Sequence, residues 1–239
     1  MDLKEEDILG DAIAEHWYYV SKARALKRAI SGLERGSILD VGAGSGIFSK
    51  VLLEDGFAAS TCVDPNYDVE REESHAGKPL RFVKGVEASD AGLVLMMDVC
   101  EHVPDDAALI RQYADVVAPG AHFLITVPAF QFLFSAHDVF LEHYRRYTVA
   151  SLEEAVRKAG LEVVRSHYYF AGIFPIAAAQ RLYEKRILKQ DPTLARSSLK
   201  RHSPVVNSAL KALCAVELPV MKLNRAFGLS AFCLARKAL

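Results

Sequence analysis

Cysteine is scarce and scattered: the 239 residues hold four, Cys62, Cys100, Cys214 and Cys233, and no two form a C-x-x-C pair. That excludes a zinc ribbon, a disulfide-stapled secreted domain and a dithiol redox centre, and predicts reduced, buried thiols in a cytosolic protein. Long apolar runs are missing too. The uncharged stretch Phe170–Ala179 is ten residues, whereas a bilayer-spanning helix takes about 20. The start, MDLKEEDILG, is acidic and polar, the opposite of a secretory leader. There is no internal repeat and no low-complexity tract. Neither sign of charge dominates, with 29 Lys and Arg against 30 Asp and Glu.

What is present is an ordinary folding composition, 51% apolar and 25% charged, at a length that suits one domain with an appendage. The charge is unevenly spread. Residues 1–169 carry 17 basic and 27 acidic side chains, a net of −10, and residues 170–239 carry 12 and 3, a net of +9. An acidic body with a basic tail predicts different partners for the two parts. It also disfavours nucleic acid, because the body has no broad basic face.

Apolar periodicity predicts a helix over Glu15–Leu33, with Trp17, Val20, Ala23, Leu26 and Ile30 at helical spacing. Strands follow at Ser37–Val41, Ala59–Val63, Arg81–Val83, Leu93–Met97, His122–Val127 and Leu161–Val164, with helices at Ile47–Leu53, Asp105–Ala118 and Ser151–Ala159. Leu93–Met97 is apolar throughout, as a strand covered on both faces requires. Alternating strands and helices imply right-handed crossovers and a doubly wound α/β sheet. Helical segments over 173–190 and 204–224 then precede a last strand, Leu229–Ala235. The basic segment therefore reads as an insertion in a single domain. Its parts are a helical cap over 1–36, a ligand-binding core over 37–170, the insertion over 171–227 and a closing strand over 228–239.

The turn after the first strand reads Asp40-Val41-Gly42-Ala43-Gly44-Ser45-Gly46. Glycines there let backbone approach a ligand, and the free N–H groups of the next helix favour anionic groups. A dinucleotide fingerprint needs G-x-G-x-x-G, but the third glycine comes one residue early and position 47 is Ile, which argues against a nicotinamide-dependent oxidoreductase. Asp64, ending the second strand 18 residues after Gly46, can accept hydrogen bonds from both hydroxyls of a ribose. Turn and acid together predict a nucleoside ligand.

ILDVGAGSGIF, CVDPN, LVLMMDVCEHVPDD and ITVPA, in that order, resemble the successive motifs of class I S-adenosylmethionine-dependent methyltransferases, of the bacterial type 11/12-like kind. The resemblance runs from Ser37 to about Phe170 and resumes at Leu229–Arg236. It implies a Rossmann-like, seven-stranded, mostly parallel sheet with S-adenosylmethionine (S-adenosylhomocysteine as product) across the strands' carboxyl ends. By motif match, Asp40 and the Gly42-Ala43-Gly44 and Gly46 backbone would hold the methionine portion, and Asp64 with Pro65 the ribose. Val86 and Glu87 would flank the adenine, and Asp98 and Val99 the methionine end.

Methyl transfer from a sulfonium needs positioning first, and a base only where the acceptor keeps its proton. His102 and the distant His143 are the candidate bases, with near-neutral titration suited to a hydroxyl acceptor. D-x-x-E-H plus a later His is similar to a divalent-metal pattern in some O-methyltransferases, making Asp98, Glu101, His102 and His143 candidate ligands. Orienting the loop before the Asp105 helix is the alternative role for Glu101 and His102. His137, Arg145, Arg146 and Tyr147 fall in the loop where this family builds its acceptor site, and paired arginines suit a phosphate or carboxylate. Trp17, Tyr18 and Tyr19 are either a cofactor lid or core. Phe170–Ala179 with Arg181, Lys185, Arg186 and Lys189, and Pro204–Leu223 with its apolar Val206, Leu210, Leu213, Val216 and Leu218, read as a lid or a homodimer interface. Peripheral contact with the inner membrane surface is the other reading. The function expected is methyl transfer, at oxygen, to a small-molecule or lipid- or glycan-linked acceptor. The alternative is a non-catalytic cofactor-binding or membrane-docking protein of the same fold.

Overall fold

The computed structural model describes residues 10–190 and 202–239; most of the acidic start and residues 191–201 lie outside them, as does the side chain of Lys189. Eight strands form one sheet: β1 Ser37–Val41, β2 Ala59–Val63, β3 Arg71–His75, β4 Lys78–Val83, β5 Leu93–Met97, β6 His122–Pro128, β7 Leu161–Tyr169 and β8 Ser230–Lys237. The helices are α1 Trp17–Ala29, α2 Ile47–Glu54, α3 Asp106–Val116, α4 Ala136–Phe140, α5 Val149–Lys158, α6 Phe174–Gln190 and α7 Pro204–Glu217.

The strand order is β3-β4-β2-β1-β5-β6-β8-β7. Parallel pairing joins β4, β2, β1, β5 and β6, while β8 runs antiparallel between β6 and β7. This is the α/β, Rossmann-like sheet the sequence implies, with one strand more. The additional strand is β3, an edge hairpin on β4 closed by the two-residue turn Ala76-Gly77, both at positive φ. Its sequence, REESH, is almost wholly exposed. It has no apolar alternation to announce it, and its charges protect the edge from pairing with other chains.

The pleat divides the apolar residues between the two faces. Leu93, Leu95 and Met97 of β5 face the core beneath α1 and α2, and Val94 and Met96 face the core beneath α3 and α5. The order of strand addition reverses at β1: β2 lies on one side and β5 on the other, all three parallel. In open α/β sheets the crevice outside the carboxyl ends at such a switch point is where ligands bind.

The excursion between β7 and β8 places α6 against α4, and α7 against α1. Trp17 N–H donates to Asn207 Oδ1 (2.7 Å), and Asn207 Nδ2 donates to Glu15 O (2.9 Å), tying α7 to the start of α1. The apolar face read on α7 is only partly inward. Leu210 and Leu218 pack on the core, whereas Val216 is exposed, because Cys214 is the helix's only buried side chain. Among the described residues, no helix is long and apolar enough to cross a membrane.

Candidate active site

The switch point is built by three carboxyl ends. After β1, Gly42, Gly44 and Gly46 all take positive φ, and Gly46 precedes α2 with no side chain capping the helix start. A Cβ at Gly42 would lie 2.8 Å from Val99 Cγ2, so glycine is demanded there by the close approach as well as by φ. Asp40 lies beneath the turn and is buried; Ser49 Oγ donates to its Oδ2 (2.7 Å), binding β1 to α2. Burial pushes the Asp40 carboxyl up to about 6 against the lowering effect of Ser49. At the end of β2, Asp64 is buried and its Oδ1 accepts from Asn66 N–H (2.9 Å). Pro65 beside it is exposed. Tyr67 Oη donates to Gly44 O (2.6 Å), joining this loop to the glycine turn. Beyond β4, Val86 is half-buried and Glu87 exposed.

The third end, β5, stops at Asp98, whose φ of +57° is left-handed. Thr126 Oγ1 donates to its Oδ1 (3.1 Å), and Lys22, wholly buried on α1, forms an ion pair with its Oδ2. Tyr18, one turn back on α1, accepts from Lys22 Nζ (3.2 Å) and donates to the same carboxylate (3.3 Å). Burial alone would raise the Asp98 carboxyl, but the Lys22 ammonium overrides it and holds the acid below its ordinary value. A buried charge with its counter-charge and a left-handed acid at a strand end is the kind of locally costly arrangement that clusters at functional sites.

Beside Asp98 a cavity of about 460 Å³ lies under α1, α6 and α7, within the 300–1,000 Å³ usual for small-molecule sites. Its polar wall includes Glu101, His102, His137, His143, Arg146 and Arg181, and its aromatic wall Trp17, Tyr18 and Tyr19. Tyr18 stacks on Phe170 at 5.3 Å.

Asp138 organises the polar wall. Its side chain is fully buried in α4, where it caps the helix by accepting from Ser135 N–H (2.8 Å). Its other oxygen meets His143 Nδ1 (2.9 Å) and accepts from Arg146 Nε (2.7 Å). Despite burial, these partners hold the Asp138 carboxyl far below its ordinary value. His143 is thereby fixed through Nδ1, with its ring 4.7 Å from that of His102. Glu101 Oε2 is buried and meets no hydrogen-bond partner among the described residues, and burial together with Asp98 drives its carboxyl well up. Burial and the neighbouring Arg181 push the His137 imidazole well down.

Of the residues read from sequence as acceptor contacts, Arg146 and His137 reach the cavity and Arg145 and Tyr147 do not. Arg145 donates to Asp106 Oδ2 (3.1 Å) and Pro104 O (2.6 Å), and buried Tyr147 donates to Asp106 Oδ2 (2.7 Å) and Cys100 O (3.1 Å). Both lock the loop to the start of α3. Of the four metal candidates, Glu101, His102 and His143 bring ligand atoms within 4.8 Å of one another; Asp98 is outside that set, engaged by Lys22 and Thr126. Lys22 and Arg181 emerge as site residues from geometry alone, and Asp138, which the sequence places beside His137 in the acceptor loop, emerges as the group that organises that loop. The sequence signals available were the Tyr18-x-x-x-Lys22 spacing, which aligns two side chains on one helical face, and the fall of Asp138 five residues before His143. Arg181 had none, and reads as one more cation of a basic tail.

A protein-family model described as a methyltransferase domain matches residues 14–166. Among curated proteins, a ubiquinone biosynthesis O-methyltransferase from Yersinia pestis is 32% identical over 102 residues, 38% of this chain and 42% of that protein. The chain thus aligns with about two fifths of that relative's length. Among solved structures, a Bacillus halodurans protein described as a putative methyltransferase superposes with a TM-score of 0.54 at 14% identity, covering 90% of this chain and 99% of that one. Haemonchus contortus phosphoethanolamine N-methyltransferase 2, solved with S-adenosyl-L-methionine, superposes with a TM-score of 0.54 at 17% identity, covering 91% of this chain and 52% of that one. The family match covers well over half of the chain, on a sheet that these methyltransferases share: the chain belongs to the methyltransferase-domain family, with the class I S-adenosylmethionine-dependent fold.

Proposed function

We propose that the protein transfers a methyl group from S-adenosylmethionine to an oxygen of an acceptor bound in the cavity beneath α6 and α7. The observation that carries this reading is the Asp138–His143 dyad beside the crevice at β1 and β5. An acid fixing one imidazole nitrogen sets the tautomer and leaves the other nitrogen to take a proton. The name of the Yersinia relative, an O-methyltransferase, supports oxygen as the accepting atom.

The residues at the switch point fit the cofactor. Three left-handed glycines, an uncapped helix start and a buried acid at the end of β2 form a backbone cradle with a hydrogen-bond acceptor beside it. The Gly42-Ala43-Gly44 and Gly46 backbone, supported by Asp40, would hold the methionine portion, and Asp64 beside Pro65 the ribose. Val86 and Glu87 would flank the adenine, and Asp98 and Val99 the methionine end. Bound there, the cofactor supplies an electrophilic methyl group on a sulfonium. The protein's part is to aim the acceptor, exclude water with Trp17, Tyr18 and Tyr19, and remove the acceptor's proton at His143, with His102 beside it.

One observation favours a metal-assisted variant: among the described residues Glu101 Oε2 has no hydrogen-bond partner, and it lies beside two imidazoles. A divalent ion held by Glu101, His102 and His143 would acidify an acceptor hydroxyl. We favour the metal-free dyad because Asp98, the fourth candidate ligand, is already paired with Lys22.

The test is calorimetry with S-adenosylmethionine and S-adenosylhomocysteine, followed by transfer of radiolabelled methyl to catechols with and without an alkyl chain. Micromolar binding of both ligands and labelled ether product are expected. Failure of a folded sample to bind either ligand overturns the reading; binding with no transfer to any acceptor leaves the non-catalytic alternative.

A further inference from the structure

The cavity has a cationic end and an apolar end. At the cationic end two guanidiniums face one carboxylate. Arg146 is held at close range, with Nε on Asp138 (2.7 Å) and Nη1 on Ala129 O (3.2 Å), and it neutralises that acid. Arg181, from α6, reaches the same acid only at 3.6 Å and Ser135 Oγ at 3.4 Å, both through Nη1. Its Nε and Nη2 meet no acceptor among the described residues. Its side chain is 17% accessible on the cavity wall. Burial and the nearby Arg146 pull it down to about 10, which still leaves it charged at neutral pH. Glu184, one turn further along α6 and off the wall, accepts from Gln180 (2.7 Å) and acts on Arg181 as a nearby negative charge without bonding to it.

At the apolar end the wall is Ile173, Ile176 and Ala177 of the α6 segment and Val206 and Leu210 of α7. Ile176 is 70% exposed and Val206 44%, so the apolar wall continues from the cavity onto the outer surface. A compact anion would leave that wall bare; an apolar chain running outward would cover it.

We infer that the methyl acceptor is an anionic amphiphile whose phosphate or carboxylate pairs with Arg181 and whose apolar portion lies along α6 and α7. This rests on the cavity being the acceptor site. A guanidinium suits such a group because it offers two parallel donors to two oxygens.

Trp17, the only tryptophan in the chain, stands on the cavity wall and reports occupancy by fluorescence. The full-length protein with saturating S-adenosylhomocysteine is titrated with decyl phosphate, decanol and inorganic phosphate. Decyl phosphate is expected to bind at least tenfold more tightly than either of the others. Arg181→Ala should weaken decyl phosphate by about tenfold or more, as loss of a charge-assisted contact does, while leaving decanol unchanged; Arg181→Lys should recover part of the loss. Ile176→Glu, at an exposed position, should weaken decyl phosphate and leave inorganic phosphate unchanged. Vesicles of phosphatidic acid in phosphatidylcholine separate the sources. A Trp17 response to them that Arg181→Ala abolishes supports a membrane-borne acceptor, and a response to decyl phosphate alone supports a soluble one. Decanol binding as tightly as decyl phosphate, or Arg181→Ala without effect, overturns the inference. Calorimetry with S-adenosylhomocysteine on each protein keeps the outcomes apart: cofactor binding retained without decyl phosphate selectivity removes only the amphiphile, whereas no cofactor binding by the unmutated protein removes the methyltransferase reading as well.

Discussion

Replacing Lys22 by Met tests whether the ion pair under the roof of the cavity organises the site. Methionine fills the volume of the lysine stem, so no large cavity is created; what is lost is the charge facing Asp98. Removing one partner of a buried pair costs about 3–5 kcal/mol, because the other charge is left desolvated and unpaired. Lys22 is wholly buried but the Asp98 side chain keeps 26% of its surface, so the lower end applies, about 3 kcal/mol. For a chain of this size that is a fall in Tm of about 6–12 °C. The pH dependence carries the mechanism. In the unmutated protein Lys22 depresses the folded Asp98 value, so the pair stabilises above the unfolded carboxylate value and fades only in acid. Without Lys22, burial outweighs the remaining hydrogen bonds from Thr126 and Tyr18 and raises that value above the unfolded one. The penalty is then full at high pH and relieved as the acid protonates on the way down. Urea denaturation should therefore show the difference between Lys22→Met and the unmutated protein shrinking from about pH 8 to about pH 5. The double variant Lys22→Met/Asp98→Asn should regain most of the loss, since asparagine tolerates left-handed φ and carries no charge. A loss below about 1 kcal/mol, or one that does not vary with pH, refutes the reasoning.

Asp64→Ala should weaken S-adenosylmethionine binding by about 10- to 150-fold in calorimetry, the worth of a hydrogen bond to a charged group; unchanged affinity removes the ribose assignment. Gly42→Ala should destabilise the fold by about 1–2 kcal/mol from its left-handed φ alone, with the Val99 clash added, whereas Gly85→Ala, which meets nothing within 4 Å, should stay within about 0.5 kcal/mol; equal urea midpoints for the two contradict the close approach. His143→Gln should lower kcat by about 10²–10⁴-fold with S-adenosylhomocysteine affinity unchanged, and a full turnover rate in that variant removes the dyad. Dialysis against a chelator should leave turnover intact; a loss restored by zinc or magnesium would transfer His143 from base to ligand.

The central parallel strands β1, β5 and β6 were legible because burial on both faces leaves only one kind of sequence. Leu93–Met97 is apolar at every position, and observed β5 has the same limits. β3 was not legible, since an exposed edge strand is held by backbone pairing and by the Ala76-Gly77 turn, neither of which leaves apolar periodicity. β7 runs five residues past its predicted end, to Tyr169. Its later residues are buried against β8, a strand more than 60 positions away, and local pattern holds no trace of that partner.

The site divides in the same way. Its cofactor end rests on backbone geometry, and backbone geometry selects glycines and a strand-end acid that stand in sequence order, so Gly42, Gly44, Gly46 and Asp64 could be nominated from one dimension. The acceptor end rests on charges whose meaning depends on what they meet. Arg145 and Arg146 are adjacent and chemically identical, yet one braces the start of α3 and the other, on the cavity wall, neutralises the buried Asp138. Arg181 sits among cations that composition assigns to a surface, and it turns inward because α6 lies against α4, where Asp138 is held. The basic tail is therefore not one feature with one partner. Its exposed cation Arg186 remains at the surface and Lys211 is half-buried on α7, while Arg181 gives the cavity a weakly engaged charge, and it is the latter that defines what an acceptor must carry.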